Sequence, residues 1–186
     1  MFLQVPDEFL LENLRVLNYC KADFCVLKKI LEIRNSKNIR KWMYHRDLIT
    51  LEEHIRFIEK LRNNNEKLYY VVLNIDNNEI VGCINLNNLN YINKNAFLGI
   101  FANPAGKTTN KGKLLMKCLF YLSFSLLKLH TLKLEVLSTN ERAIDFYKKS
   151  GFKEEGELRD FVLRDNEWIN IKIMGILNDE FKVNYA

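Results

Sequence analysis

The sequence predicts an α/β fold built on one mixed sheet of about seven strands, with helices on both faces. Periodic segments follow one another as a strand, two helices, three strands, a helix, a strand, a helix and two strands. At the centre, residues 95–127 run from a buried strand through a loop into a helix. Only 2 prolines and 7 glycines interrupt 186 residues, of which 48% are hydrophobic. We therefore expect one domain over residues 1–186 with a sizeable core.

Capping and turn residues divide the first half of the chain. Asp23 is placed to cap a helix that ends at Arg34, and Thr50 with Glu53 forms a capping-box pattern. Asp76-Asn77-Asn78 is a hairpin signal between two apolar runs. The predicted elements are strands at 13–19, 68–74 and 79–86, helices at 23–34 and from residue 50, and a polar connection over 85–95.

The second half contains the central junction and a closing hairpin. Residues 96–101 are apolar on both faces except for Gly99, which is typical of a buried strand. A polar loop follows, and the next helix has its leucines at helical spacing. The remaining predicted elements are a strand at 130–137, a capping-box pattern over 138–141, a helix to Lys149 that Gly151 terminates, and hairpin strands at 161–163 and 168–177 around Asp165-Asn166.

Composition limits the function classes. The chain has 28 basic and 23 acidic residues, a net charge of +5 and no long block of like charge. This mild basic excess suits a phosphate-rich small ligand, and we expect no nucleic-acid partner. We also expect a cytoplasmic protein with no membrane partner, because neither a signal-peptide pattern nor a long apolar run is present.

Cysteines and histidines do not predict a metal site or a cysteine nucleophile. The four cysteines lack C-x-x-C spacing, and none of the three histidines is close to a cysteine in sequence. Scattered cysteines of this kind are typically free, buried thiols. We therefore expect no metal.

The central loop has the features of an anion site. Residues 107–112 are polar, basic and flexible, and they lead into a helix N-terminus, where unpaired N–H groups and the dipole favour phosphate. A Walker-type loop is excluded because Gly106 and Gly112 are one residue too far apart and Leu114 replaces the required hydroxyl. A basic surface turn before a core helix is the alternative interpretation.

The segment from Asn140 to Phe152 is the most specific signal in the chain. Asn140 and Tyr147 lie on one helical stripe, roughly 10 Å apart. The pattern N-x-x-A-[IL]-x-x-Y-x-x-x-G-F after a strand resembles the second acetyl-CoA motif of the GNAT (GCN5-related) N-acetyltransferases. The loop resembles their first motif, R/Q-x-x-G-x-G/A, with Lys107, Asn110 and Gly112 at its three positions. Asparagine tolerates the left-handed backbone that such a loop needs.

The resemblance implies a GNAT-type domain with a twisted, mostly antiparallel sheet, and an acetyltransferase that uses acetyl-CoA. A neutral amine attacks the thioester directly, Gly99 lets the thioester approach the strand, and N–H groups near Ile100 hold the oxyanion. Tyr147 assists departure of the thiolate, either in concert with bond cleavage or with a lowered pKa, and Glu135 is a candidate base through water. The implied cofactor-binding residues are Ile100, Phe101, Lys107, Asn110, Lys111, Gly112, Lys113, Asn140 and Tyr147.

The first third of the chain concerns the acceptor. Basic side chains surround two aromatic residues there, a combination that suits a nucleoside diphosphate. The segment I-R-N…W-M-Y…H-x-x-F-I resembles the PseH branch of the family, the N-acetyltransferases of the pseudaminic-acid pathway, which acetylate the 4-amino group of UDP-4-amino-4,6-dideoxy-N-acetyl-β-L-altrosamine and serve flagellin glycosylation. The implied substrate-binding residues are Arg34, Trp42, His54, Asn87, Asn88 and Phe101, of which Asn87 and Asn88 replace a Thr-Lys pair and Phe101 replaces a tyrosine.

Other functions remain open at this point. A protein N-terminal acetyltransferase of the ribosomal-protein type shares the fold and both cofactor motifs. A non-catalytic acyl-CoA-binding module and a basic RNA-binding protein belong to different classes. His54 is a second candidate base. The expected partner is a small UDP-amino sugar, and a homodimer is possible.

Overall fold

An eight-stranded sheet forms the centre of the computed structural model, which describes the backbone of residues 5–185 and the side chains of residues 5–181. The spatial order is β1-β2-β3-β4-β5-β6-β8-β7, and every neighbouring pair is antiparallel except β5 with β6. This confirms the predicted mixed, mostly antiparallel sheet, with eight strands instead of about seven. The strands are β1 (Glu8–Leu11), β2 (Leu14–Asn18), β3 (Leu68–Asn74), β4 (Glu79–Asn90), β5 (Asn95–Ala102), β6 (Thr131–Leu137), β7 (Lys153–Arg164) and β8 (Glu167–Leu177).

Helices cover both faces of the sheet. Alternate residues of each strand face opposite sides, so Tyr70 packs with α4 and α5 whereas Val71 packs with α1 and α3. A π-helix at Tyr121–Leu126 continues α4. No helix in the described part of the chain is long and apolar enough to cross a membrane. The helices are α1 (Phe24–Asn35), α2 (Lys37–Arg40), α3 (Leu51–Arg62), α4 (Lys111–Phe120), α5 (Glu141–Lys149) and α6 (Asn178–Tyr185).

Most predicted helix caps are present. The Asp23 side chain accepts a hydrogen bond from the Val26 N–H, and Thr50 forms its capping box with Glu53. Gly151 has a φ of 93°, the left-handed conformation expected after a helix. The capping-box prediction at residues 138–141 was wrong, because Asn140 itself is the N-cap of α5 and accepts from the Ala143 N–H.

Three strands differ from the sequence prediction. The four-residue β1 was missed because it is too short to show a period. β4 continues to Asn90 where a polar connection was expected, since a register irregularity after Asn87, with Asn88 at a φ of 49°, breaks the alternation of side chains. β7 begins at Lys153 because an exposed edge strand does not need apolar residues.

The two parallel strands at the centre pair only briefly. β5 and β6 are matched from Asn95 with Thr131 to Phe97 with Lys133, and the pairing then ends. Beyond this point β5 stays with β4 and β6 stays with β8. The strands therefore separate into a wedge, and one edge of β5 after Phe97 has no partner strand within the described residues. This edge leaves backbone groups available to a ligand.

Candidate active site

A cavity of about 650 Å³ occupies the wedge between β5 and β6. Its walls also include the end of β4, the start of α5, the cavity-facing sides of α1 and α3, and the connection between α2 and α3. Most of the predicted site residues lie together on these walls: Arg34, Trp42, His54, Asn87, Asn88, Ile100, Phe101, Glu135, Asn140 and Tyr147. Lys107, Asn110, Lys111, Gly112 and Lys113 do not line the cavity; they lie in the loop and first turn of α4.

Tyr147 is buried against Phe152, with ring centroids 5.8 Å apart in an edge-on arrangement. Burial raises the pKa of Tyr147 above its usual value. The phenol is therefore protonated throughout the neutral range and is an uncharged hydrogen-bond donor. The direction of this shift is opposite to the lowered tyrosine pKa that was one of two predicted routes to thiolate departure.

The deep end of the cavity contains a guanidinium group and an imidazole with unused hydrogen-bonding capacity. Nη2 of Arg34 donates to the His45 carbonyl at 3.4 Å, whereas its buried Nη1 has no partner. Burial lowers the pKa of His54, and a hydrogen bond to the Leu27 backbone opposes this shift. His54 is thus neutral at pH 7, and its buried Nε2 also lacks a partner. A ligand that accepts a hydrogen bond from Arg34 and donates one to His54 satisfies both groups.

A row of amides and a phenol extends from this end towards β5. The Tyr69 hydroxyl donates to Asn87 Oδ1 at 2.9 Å, and Asn87 Nδ2 donates to Asn85 Oδ1 at 2.7 Å. A Cβ at Gly99 would lie 2.6 Å from Asn85 Oδ1. Gly99 therefore leaves room for the Asn85 side chain, and its predicted role towards the thioester stays a prediction. Sequence analysis missed Asn85, because only the register of β4 with β5 places it opposite Gly99.

A tyrosine and a carboxylate meet at the mouth of the cavity. The Tyr44 hydroxyl donates to Glu135 Oε2 at 2.5 Å, across 91 residues of sequence. Burial and the hydrogen bond to Glu135 raise the pKa of Tyr44, so its phenol is protonated and is the donor. Glu135, the candidate base named from the sequence, lies on the cavity wall. Sequence analysis did not identify Tyr44 as its partner, because no local pattern joins residues so far apart.

The loop before α4 has the backbone of an anion site. Asn110 adopts the left-handed conformation, with φ 53° and ψ 27°, as the sequence predicted. Its side chain does not cap the helix, so the first-turn N–H groups of α4 keep no intrahelical partner. Glu79, which was not predicted, accepts hydrogen bonds from the N–H groups of Lys107 and Thr108 at 2.9 and 3.0 Å. These two hydrogen bonds attach the loop to the first residue of β4, in the β3–β4 hairpin.

Two predicted residues of this loop have structural contacts. The Lys111 ammonium donates to the carbonyls of Asn103 and Gly106, both at 2.6 Å, so it ties the loop together instead of pointing towards a ligand. A Cβ at Gly112 would lie 3.2 Å from the Phe146 ring of α5. Gly112 therefore allows α4 and α5 to approach each other at the edge of the wedge.

The described residues contain no group of three or more His, Cys, Asp and Glu side chains arranged to hold a metal ion. The free thiols follow the expected pattern in part, with Cys83 and Cys118 buried and Cys25 exposed. Among the described residues, the polar groups that line the cavity are one guanidinium group, one carboxylate, two imidazoles, and several phenols and amides.

Comparison with known proteins gives one family and several relatives. The family described as Acetyltransferase (GNAT) domain matches residues 21–173. Two Campylobacter jejuni proteins named Acetyltransferase PseH are 29% and 30% identical over 148 residues, which cover 80% of this chain and 90% of theirs. Spermidine N(1)-acetyltransferase of Vibrio cholerae is 26% identical over 155 residues, covering 83% and 89%.

Solved structures give the same fold. The crystal structure of the Vibrio cholerae spermidine N-acetyltransferase in complex with CoA and spermine superposes with a TM-score of 0.82 at 23% identity, covering 92% of this chain and 99% of the other. A dodecameric structure of that enzyme in an intermediate state superposes with a TM-score of 0.76 at 22% identity, covering 95% and 100%. At these identities the structural likeness concerns the fold alone.

Proposed function

The chain belongs to the GNAT acetyltransferases, and on that premise we propose that its acceptor is a UDP-linked amino sugar. The reaction transfers the acetyl group of acetyl-CoA to the 4-amino group of UDP-4-amino-4,6-dideoxy-N-acetyl-β-L-altrosamine, a step of pseudaminic-acid biosynthesis for flagellin glycosylation. The resemblance to the two PseH proteins supports this choice of sugar.

The pair of unpartnered groups at the deep end of the cavity is the main support for a nucleotide-sugar acceptor. The free Nη1 of Arg34 suits a phosphate or carbonyl oxygen, and Nε2 of the neutral His54 accepts a hydrogen bond from a hydroxyl or amide. Tyr69 and Phe57 pack edge-on beside them, with ring centroids 5.0 Å apart. Flat apolar surfaces next to a guanidinium are suited to a nucleobase and its phosphates.

The charge of the cavity argues against a polyamine acceptor. Glu135 is the one carboxylate among the described residues that line the cavity, and Arg34, whose Nη1 is buried, places a positive charge on its wall. A polyamine has several positive charges and needs acidic partners, whereas a buried cation repels it. The cavity therefore favours an acceptor with one amine and a negatively charged remainder.

Acetyl-CoA, which supplies the acetyl thioester, fits the loop before α4. We assign its pyrophosphate to the N–H groups that follow the left-handed Asn110, with Lys107 and Lys113 adding positive charge. Ile100 and Phe101, on the open edge of β5, would hold the pantetheine arm. Asn140 and Tyr147 form the facing wall.

Three groups have roles in the chemistry. Backbone N–H groups at Ile100 stabilise negative charge on the thioester oxygen. Tyr147 donates a hydrogen bond or proton to the departing sulfur. Because the pKa of Tyr147 is raised, a complete proton transfer ahead of bond cleavage is unfavourable, and donation is concerted with cleavage. Glu135 accepts the amine proton, directly or through water.

The same premise leads to three smaller proposals. Residues 1–186 form one acetyltransferase domain. The protein acts in the cytoplasm, where acetyl-CoA and nucleotide sugars are made. It is a homodimer, which light scattering of the purified protein would test.

Purified protein with acetyl-CoA should be assayed against UDP-4-amino-4,6-dideoxy sugars, spermidine and N-terminal peptides of ribosomal proteins. We expect acetylation of a UDP-amino sugar with competitive inhibition by UDP. Faster acetylation of spermidine would make the enzyme a polyamine acetyltransferase, and faster acetylation of a peptide would favour the N-terminal acetyltransferase interpretation. No transfer to any amine despite CoA binding would indicate a non-catalytic acyl-CoA-binding module.

A further inference from the structure

The connection between α2 and α3 covers the acceptor end of the cavity without helix or strand structure. We call residues 41–50 the acceptor segment. From one side it is held by α1: Asn35 Nδ2 donates to the Ile49 carbonyl at 2.8 Å, and the Ile49 N–H donates to Asn35 Oδ1 at 3.0 Å. Arg34 adds a longer contact to the His45 carbonyl. Its conformation is therefore specified by side chains from elsewhere in the fold.

The other side is held by the β7–β8 hairpin, through a residue that lies 121 and 123 positions from its two partners. Arg164, at the end of β7, is buried, and its Nη1 donates to the Lys41 carbonyl at 2.9 Å while Nη2 donates to the Met43 carbonyl at 2.5 Å. Next to it, Asp165 forms an ion pair with Arg46 at 2.8 Å. A planar guanidinium holds two acceptors in a rigid fork geometry, whereas a lysine ammonium on a flexible stem binds them from a single nitrogen.

Tyr44 lies between these two anchor points. Its hydroxyl donates to Glu135, and its ring contacts Phe161 of β7 with centroids 6.4 Å apart. Both Tyr44 and Glu135 are partly open to solvent, so burial alone does not hold the phenol in place. The backbone on its N-terminal side is fixed by Arg164, and this geometry directs the hydroxyl to the carboxylate.

We propose that Arg164 is a positioning residue for acceptor chemistry: it fixes the acceptor segment so that Tyr44 orients the Glu135 carboxylate towards the acceptor amine. This inference rests on the proposed role of Glu135. The buried guanidinium binds no carboxylate among the described contacts; both Nη groups are used on the segment. Arg164 thereby connects the hairpin turn to the acceptor half of the site and leaves the acetyl-CoA half untouched.

A double-mutant cycle tests the proposal, with Arg164→Met, Tyr44→Phe and the combined variant measured on whichever amine the wild-type protein acetylates. Each single change should lower kcat/KM for the acceptor about ten- to a hundredfold, as expected for hydrogen bonds to charged groups. The KM for acetyl-CoA should change less than about twofold. The kcat/KM of the combined variant should be no lower than that of the less active single variant, because both changes act through the same contact. Arg164→Lys should not restore activity, and Arg159→Met, on the exposed face of the same strand, is the matched control.

Hydrogen exchange of the segment gives a readout that does not depend on the acceptor. In Arg164→Met, amides of residues 41–49 should exchange faster, with the rest of the sheet unchanged. Additive losses in the cycle, or unchanged exchange in the segment, would overturn the proposal. If exchange and the cycle behave as expected but the acetylated amine is not on a UDP sugar, the proposed function fails and the positioning role stands. A globally faster exchange in Arg164→Met would show a role in stability alone.

Discussion

The buried environment of Tyr147 determines what its phenol can do chemically. A raised pKa makes the phenol a poor acid in isolation but keeps it protonated as a hydrogen-bond donor, so the role we propose for Tyr147 is a hydrogen bond in the transition state. We predict that Tyr147→Phe lowers kcat by about 10²-fold, the usual size of a lost general acid, with little change in the KM for acetyl-CoA. Steady-state kinetics measure both. Tyr121→Phe, in the π-helix outside the cavity, is the control, and a kcat within a factor of two of wild type would leave Tyr147 a packing residue.

A substitution of Arg34 tests the proposed acceptor site. The Arg34→Ala change removes a charged group whose Nη1 donates to no acceptor in the protein. A charge-assisted hydrogen bond contributes about 1.5–3 kcal/mol, so Arg34→Ala should raise the acceptor KM about ten- to a hundredfold while acetyl-CoA binding is unchanged. Arg56→Ala, an exposed change on α3, should have no effect. An unchanged acceptor KM in Arg34→Ala would remove Arg34 from the site.

The lowered pKa of His54 predicts that the free energy of unfolding depends on pH. Its pKa is lowered in the folded protein, so at pH values below its unfolded pKa of about 6.5 the unfolded state binds more protons. The contribution of His54 to the free energy of unfolding is therefore complete above that pH and is lost as pH falls towards the folded pKa. We predict that His54→Gln flattens this acid-side decline in urea titrations between pH 7.5 and 5.5. His130→Gln, at an exposed site, should retain the wild-type slope; equal slopes in both variants would show that His54 does not govern it.

At the scale of elements, the loop before α4 depends on one left-handed residue. A β-branched side chain at positive φ costs about 1–2 kcal/mol, so Asn110→Val should raise the KM for acetyl-CoA by about tenfold, whereas Asn110→Gly should leave it unchanged or lower it. Lys94→Val places the same side chain at a φ of 50° in the β4–β5 turn and is the matched control for strain. Equal KM values in Asn110→Val and wild type would place the pyrophosphate elsewhere.

Gly112 is a less specific probe of the same loop. A side chain there meets the Phe146 ring of α5 before it meets any ligand. A loss of cofactor binding in a Gly112 variant would thus combine helix packing with crowding of the phosphates, and Asn110 separates the two effects. Glu79 is the third residue that shapes this loop. Its carboxylate accepts hydrogen bonds from two loop N–H groups and leaves the helix N-terminus to the proposed ligand.

For the whole molecule, the separation of β5 and β6 opens one cavity that both proposed ligands, acetyl-CoA and the UDP-linked sugar, would enter. A ligand that binds only the folded state at a hundred times its Kd stabilises it by about 2.7 kcal/mol, which corresponds to roughly 5–10 °C in Tm for a chain of this size. We predict that CoA and UDP each raise Tm and that their effects add. Thermal melts measure this; a shift with CoA and spermidine but none with UDP would contradict the nucleotide-sugar acceptor.

Periodicity, capping residues and turn signals in the sequence determined the order of the elements. The N-terminal caps at Asp23 and Thr50, the C-terminal Gly151 and the left-handed Asn110 are local features, so local patterns sufficed to predict them. The motif from Asn140 to Phe152 identified the family for the same reason, because its helix spacing places Asn140 and Tyr147 on one stripe without reference to the rest of the fold.

The tertiary structure alone decided the contacts that join distant segments. Tyr44 reaches Glu135 across 91 residues, Arg164 reaches Lys41 across 123, and Glu79 binds the loop at Thr108 across 29. A glycine is needed at position 99 for a reason that the sequence does not show, because the neighbouring strand brings the Asn85 side chain beside it. Sequence analysis also missed β1 and the first part of β7. Strands at a sheet edge pair through backbone groups, which do not affect the hydrophobic pattern of the side chains. A sequence specifies its local conformations directly, whereas a site built from several strands exists only after their register has been set.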